Sequence, residues 1–293
     1  MMVAALTALN YRTKYKNKTY EQMPYEIVIA NVGSSHGQYG FLYEQTDELN
    51  TFNFAMSSQE LKYDYNLFDY YADHFRKKSV LFIPISYFSF HDINDPNIVG
   101  EDYYRRYYNL LDRKRIPYEN IAEYINIKYF FSLKETDKQT KSVFKTKATA
   151  QPQPQVMPLY DRGVARADFH MDLVMNPDRT QIKEQSKIAK KSLENLIVAC
   201  RKHEVTPILL TTPYTHYYTD HFPDLFLDFF SKQIDSVVSK YEVEYLDFSL
   251  DERFSDFPQL FQDTDHLNQA GAKLFTEIMI DYVRQKGYID LAE

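Results

Sequence analysis

The run Ile27-Val28-Ile29-Ala30, within residues 25–32, is apolar on both faces and constrains the chain more than any other stretch. A strand of this kind must be covered on both sides, the pattern of a central strand in a parallel sheet. Four further short apolar runs share its character: Thr51–Met56, Ser79–Ile85, Thr206–Thr212 and Val243–Phe248. Segments with helical spacing stand between them. Residues 61–75 put Leu61, Tyr65, Phe68, Ala72 and Phe75 on one face, and residues 181–202 do the same with Ala189, Leu193, Leu196, Ile197 and Cys200. Further helices are expected at 41–49, at 222–240 and from Asn268 onward. Strand and helix therefore alternate, which predicts an α/β fold: three layers, with a doubly wound, parallel, five-stranded sheet.

Between about 92 and 180 the alternation lapses. Helical pieces are expected at 101–113 and 118–131, and the Gln- and Pro-rich 150–155 reads as a loop. This region is expected to be an insertion after the third strand within one domain spanning 25–293. Residues 1–24 read as a leader, with Arg12, Lys14, Lys16 and Lys18 ahead of the first strand. It is either an ordinary solvated segment or the stub of an N-terminal membrane anchor.

Composition narrows the function classes. A hydrophobic fraction of 44% over 293 residues builds a sizeable core, and a net charge of −7 argues against a nucleic-acid partner. The one cysteine, Cys200, allows no internal disulfide and leaves the compartment open.

Two stretches carry candidate chemistry. The first strand runs into Gly33-Ser34-Ser35-His36-Gly37, and a serine on a tight turn after a strand stands at the carboxyl edge of a sheet, where α/β proteins bind ligands. Near the other end, Asp263-Thr264-Asp265-His266 precedes the last helix. A carboxylate three residues before a histidine can hold the imidazole in the tautomer a general base needs. Asp265 is the rival acid, but its side chain should point away from that of Asp263. His91-Asp92 and His216 to His221, with Asp220, do not offer a set of metal ligands at convincing spacing, so no metal is expected.

The pairing of Gly33-Ser34-Ser35 with Asp263-Thr264-Asp265-His266 resembles the SGNH (GDSL-type) hydrolase family, over roughly residues 25–286 apart from the insertion. The resemblance implies Ser35 as nucleophile, His266 as general base and acid, and Asp263 as the residue orienting it. It also implies an oxyanion hole, for which the candidates are the Ser35 amide, the Ala55 amide in Asn53-Phe54-Ala55, and Ser86. The family's Gly-x-Asn-Asp block is replaced here by Ser86-Tyr87-Phe88-Ser89. His36, Asn53, Tyr87, Tyr214 and His216 are the candidate substrate contacts. No cofactor is implied. The Gly-Ser-Ser variant looks most like the envelope branch of the family. That branch implies O-acyl, chiefly O-acetyl, transfer or hydrolysis on a cell-surface glycan or teichoic polymer. It further implies an extracytoplasmic, membrane-anchored protein with a membrane-bound O-acyltransferase as a partner. A non-catalytic binding scaffold and a small-substrate carboxylesterase are the alternatives.

Overall fold

The computed structural model describes residues 18–44, 49–92, 106–107, 110–115 and 160–289. The chain divides into two compact units, Pro24–Ile93 with Pro154–Glu293, and Met1–Met23 with Asn94–Gln153. Of the second unit, the described residues include a helical turn, Lys18–Glu21, and a 3-10 turn, Arg113–Arg115. The helices expected near 101–131 and the loop at 150–155 lie almost wholly outside the described residues.

The first unit carries the sheet. Its strands are β1 (Ile27–Asn31), β2 (Thr51–Asn53), β3 (Phe75–Pro84), β4 (Val205–Thr211) and β5 (Glu244–Asp247), all parallel in the order β2-β1-β3-β4-β5. The longer helices are α1 (Ser35–Gly40), α2 (Leu61–Tyr71), α3 (Tyr160–Val174), α4 (Lys187–Lys202), α5 (Asp224–Tyr241) and α6 (Gln269–Gln285). The architecture is the expected three-layer α/β fold with a parallel five-stranded sheet.

Alternation along the strands separates the two cores. Val80, Phe82, Ile208 and Leu210 point to the side covered by Phe275, Met279 and Val283 of α6. Leu81, Ile83 and Leu209 lie between them, fully buried; residues alternate faces along a strand, so these face the other layer. There α2 packs along α4, which lies on β4. Burying each such Leu, Ile, Val or Phe side chain contributes about 1.5–3 kcal/mol, so the fold holds without disulfides; Cys200 is a buried free thiol. Among the described residues no helix is long and apolar enough to cross a membrane.

One expectation is corrected. The first helix after β1 is Ser35–Gly40, and of the expected 41–49 the described residues 41–44 and 49 are not helical, Phe41 being already extended. Phe41 and Leu42 were apolar for a different reason: they join the α6-side core, where Phe41 stacks on Phe82 at 5.3 Å between ring centroids. Within the stretch 92–180, α3 belongs to the sheet-bearing unit. Gly163 makes that possible. A Cβ there would stand 2.1 Å from the Tyr217 carbonyl oxygen, so only glycine lets α3 sit against the helical turn His216–Thr219 that follows β4.

Candidate active site

Reversal of strand order between β2-β1 and β3-β4-β5 opens a crevice at the carboxyl ends of β1 and β3, and both candidate stretches fall there. Gly33, at φ +116°, makes the turn out of β1, and its N–H donates to the buried Asp64 carboxylate at 2.8 Å. The two serines then part. Ser34 is the N-cap residue of α1, yet its hydroxyl caps nothing and instead lies 3.3 Å from Ser86 Oγ in the interior. Ser35, half-buried at the first position of α1, meets His266 Nε2 at 2.8 Å.

The histidine is held by its own loop. Asp263 Oδ1 accepts the backbone N–H groups of Asp265 (3.1 Å) and His266 (2.8 Å). The same carboxylate brackets His266 Nδ1 at 2.8 and 3.0 Å. Thr264 carbonyl accepts both the N–H and the hydroxyl of Thr215, tying this loop to the one after β4. Asn268 caps α6 by accepting from the amides of Ala270 and Gly271 at 2.9 and 3.1 Å. With Nδ1–H given to Asp263, Nε2 is left as an acceptor for the Ser35 hydroxyl, the arrangement of a nucleophile, its base and the base's orienting acid.

Electrostatics favour a strong base. Burial alone would lower the His266 pKa, but the charge of Asp265 and the hydrogen bond and charge of Asp263 outweigh it, and the value is raised above 6.5. Asp265 does not point away from Asp263 as expected: its Oδ1 stands 3.5 Å from the same His266 Nδ1 that Asp263 brackets. Its oxygens both accept from Arg166 Nε at 3.1 Å, and Oδ2 lies 3.2 Å from His36 Nε2. Burial opposes its ionisation, yet His266, His36 and Arg166 hold its pKa well below the ordinary carboxylate range.

The candidate oxyanion donors are mostly committed elsewhere. The Ala55 amide donates to Asn53 Oδ1 at 2.9 Å. Ser86 is buried, its hydroxyl 2.6 Å from His36 Nδ1. Both groups are thus engaged within the protein in this arrangement. The Ser35 amide, in the first turn of α1, has no acceptor within its helix.

The candidate substrate contacts also have partners within the protein. Asn53 binds backbone carbonyls of Gly37, Gln38 and Phe41 and stitches β2 to α1. Tyr87 is buried against Phe222, Phe226 and Phe230, with burial pushing its pKa up to about 12. Tyr214 is buried with its hydroxyl 3.5 Å from His36 Nδ1. His36 is itself buried beneath His266, and burial lowers its pKa. His216 stacks on Tyr217 and turns its Nδ1 to the Ser255 carbonyl at 3.3 Å. None of these five lines the cleft over Ser35.

That cleft, about 720 Å³ in volume, is lined by Ser35, Tyr39, Ser57, Ser58, Arg162, Arg166 and the 262–266 loop. Sequence reading missed Tyr39, whose ring edge meets His266, and both arginines. The four-residue spacing of Arg162 and Arg166 places them on one helix face, a signal usable only once α3 is known to be a helix. His36, Asp265 and His266 lie close enough together to face one metal ion. A cation there would compete with Arg166 for Asp265 and with Ser35 for His266, so the donor set does not fit one.

Fold and site together define an α/β protein with a serine–histidine–aspartate arrangement at the carboxyl edge of a parallel sheet. No family model and no curated protein sequence matches the chain. Among solved structures it is similar to the YxiM protein of Bacillus subtilis, with 12% identity and a TM-score of 0.45, over 90% of this chain and 58% of that one. It is also similar to the lipase/acylhydrolase from Enterococcus faecalis, with 11% identity and a TM-score of 0.43, over 91% of this chain and all of that one. The chain thus spans little more than half the length of the YxiM protein.

Proposed function

We propose that this chain is an SGNH-type serine enzyme that hydrolyses or transfers O-acyl groups, chiefly acetyl, on a cell-surface glycan or teichoic polymer. The observation that carries the reading is the contact of Ser35 Oγ with His266 Nε2 at 2.8 Å, with Asp263 on the far ring nitrogen. In this reading Ser35 Oγ attacks the acyl carbonyl while its proton passes to His266 Nε2. The tetrahedral intermediate collapses, and the departing alkoxide takes that proton and leaves as an alcohol. His266 then deprotonates water or a second hydroxyl, which attacks the acyl-Ser35 ester and frees the serine. The cleft is lined by Ser, Tyr, Arg, Gln, Thr, Asp and His residues, which favours a polar acyl carrier over a long aliphatic one. On the same reading the protein works outside the cytoplasm, beside a membrane-bound O-acyltransferase.

The engaged Ala55 amide and Ser86 hydroxyl favour a second reading, a scaffold of this type that binds such a polymer and turns it over slowly or not at all. Loss of one oxyanion donor costs about 2.7–4 kcal/mol in transition-state stabilisation. Time-resolved hydrolysis of p-nitrophenyl acetate by wild type, Ser35→Ala and His266→Ala, with intact-mass detection of an acetyl adduct, decides between them. Turnover and an adduct, both lost in Ser35→Ala, support the enzyme. Equal inertness with no adduct supports the scaffold. Adding glycan acceptors then separates transfer from hydrolysis.

A further inference from the structure

Behind the surface arrangement lies a second one built from the same residue types. His36 Nδ1 is 2.6 Å from Ser86 Oγ, and His36 Nε2 is 3.2 Å from Asp265 Oδ2. All three residues are buried, and Ser34 extends the chain of contacts at 3.3 Å from Ser86. One tautomer satisfies every partner: neutral His36 donates Nε2–H to ionised Asp265 and accepts the Ser86 hydroxyl at Nδ1. This relay is closed to substrate, so it is no second nucleophile.

Its position relative to His266 is what gives it a role. The His266 ring lies 4.8 Å from the His36 ring and 5.5 Å from the Tyr39 ring, so two aromatic neighbours hold it. Asp265 Oδ1 is 3.5 Å from His266 Nδ1, too far and too poorly placed to replace Asp263 as hydrogen-bond acceptor but close enough to act as a charge. Asp263 is half in solvent, whereas Asp265 has no exposure, so the charge of Asp265 is screened far less. Arg166 closes the relay from the cleft side by gripping both Asp265 oxygens.

Resting on the enzyme reading above only for its kinetic consequence, we infer that Asp265, held by His36 and Arg166, is a positioning residue for His266 that fixes the ring and strengthens it as a base. The charged or titratable groups acting on or contacting His266 are Asp263 and Asp265 on its own loop, His36 and Tyr39 on α1, and Arg166 and His170 on α3. Removing the Asp265 charge and removing the Arg166 charge must therefore act on His266 in opposite directions.

The test is the titration of the His266 imidazole by NMR in histidine-labelled full-length protein, with the resonance assigned by its loss in His266→Gln. Asp265→Asn is expected to lower the His266 pKa, and Arg166→Gln to raise it. A purely structural role for the relay would not give opposite shifts. Because the titration needs no turnover, it stands whether or not Ser35 is acylated. Alongside it, Asp265→Asn is expected to cost on the order of 10²-fold in kcat with little change in KM. Unmoved titration in both variants, or shifts in the same direction, overturns the inference. If Asp265→Asn fails to fold, Asp265→Glu, which keeps the charge but breaks its fit to His36 and Arg166, decides in its place: a lowered His266 pKa with a loss in kcat supports the positioning role, and unchanged titration and kcat overturn it.

Discussion

Ser35 Oγ and His266 Nε2 meet at 2.8 Å although 231 residues separate them in the chain. Neither could reach the other without the sheet, because β1 delivers the serine and the loop before α6 delivers the histidine to one crevice. Ser34 stands next to the nucleophile candidate and points the opposite way. This divergence yields a sharp prediction. Ser35→Ala should reduce ester turnover by about 10⁴-fold or more and remove any acyl adduct, since both the nucleophile and the base's partner are lost. Ser34→Ala should retain most activity. Comparable losses in both would mean that the turn rearranges in solution.

Asp263 orients His266 but is half exposed, and Asp265 adds charge beneath it. Asp263→Asn should therefore cost about 10²–10⁴-fold in kcat, from the wrong tautomer, without unfolding the protein. Stopped-flow or steady-state kinetics beside a melting curve measures this. Loss below tenfold would transfer the orienting role to Asp265.

The pH dependence follows from His266. Its pKa is raised above 6.5, and the protonated ring cannot accept the Ser35 proton. Activity should thus be lost as pH falls through the raised value, so the acid limb of kcat/KM should have its midpoint above 6.5. A midpoint below 6.5 would exclude His266 as the base in this environment.

How much of this was legible in the sequence depended on how locally each feature is encoded. Ser35, Asp263 and His266 sit in short motifs whose geometry the turn and the α6 cap largely fix. The sheet was legible because β1 and β3 are apolar on both faces. The partners of Asn53 and Ala55 were not legible, because the direction of their polar groups is set by α1, which packs over the end of β2. Arg166 was hidden for a different reason. Its helix lies in a stretch with no strand–helix alternation, and it finds Asp265 only because Gly163 allows the approach to Tyr217.

Ser86 offers a test of whether the relay or the oxyanion hole claims its hydroxyl. If Ser86 were the missing oxyanion donor, Ser86→Ala would cost about 10²–10³-fold in kcat. The 2.6 Å contact with His36 argues instead that the hydroxyl is spent in the interior. Its removal leaves buried His36 Nδ1 with only the distant Tyr214 hydroxyl at 3.5 Å. An unsatisfied buried acceptor costs about 1–3 kcal/mol, so Ser86→Ala should lower stability by roughly that amount in urea unfolding while kcat falls less than tenfold. A stable variant with a hundredfold slower acylation step would return Ser86 to the oxyanion hole and require its hydroxyl to swing from His36 toward the cleft during catalysis.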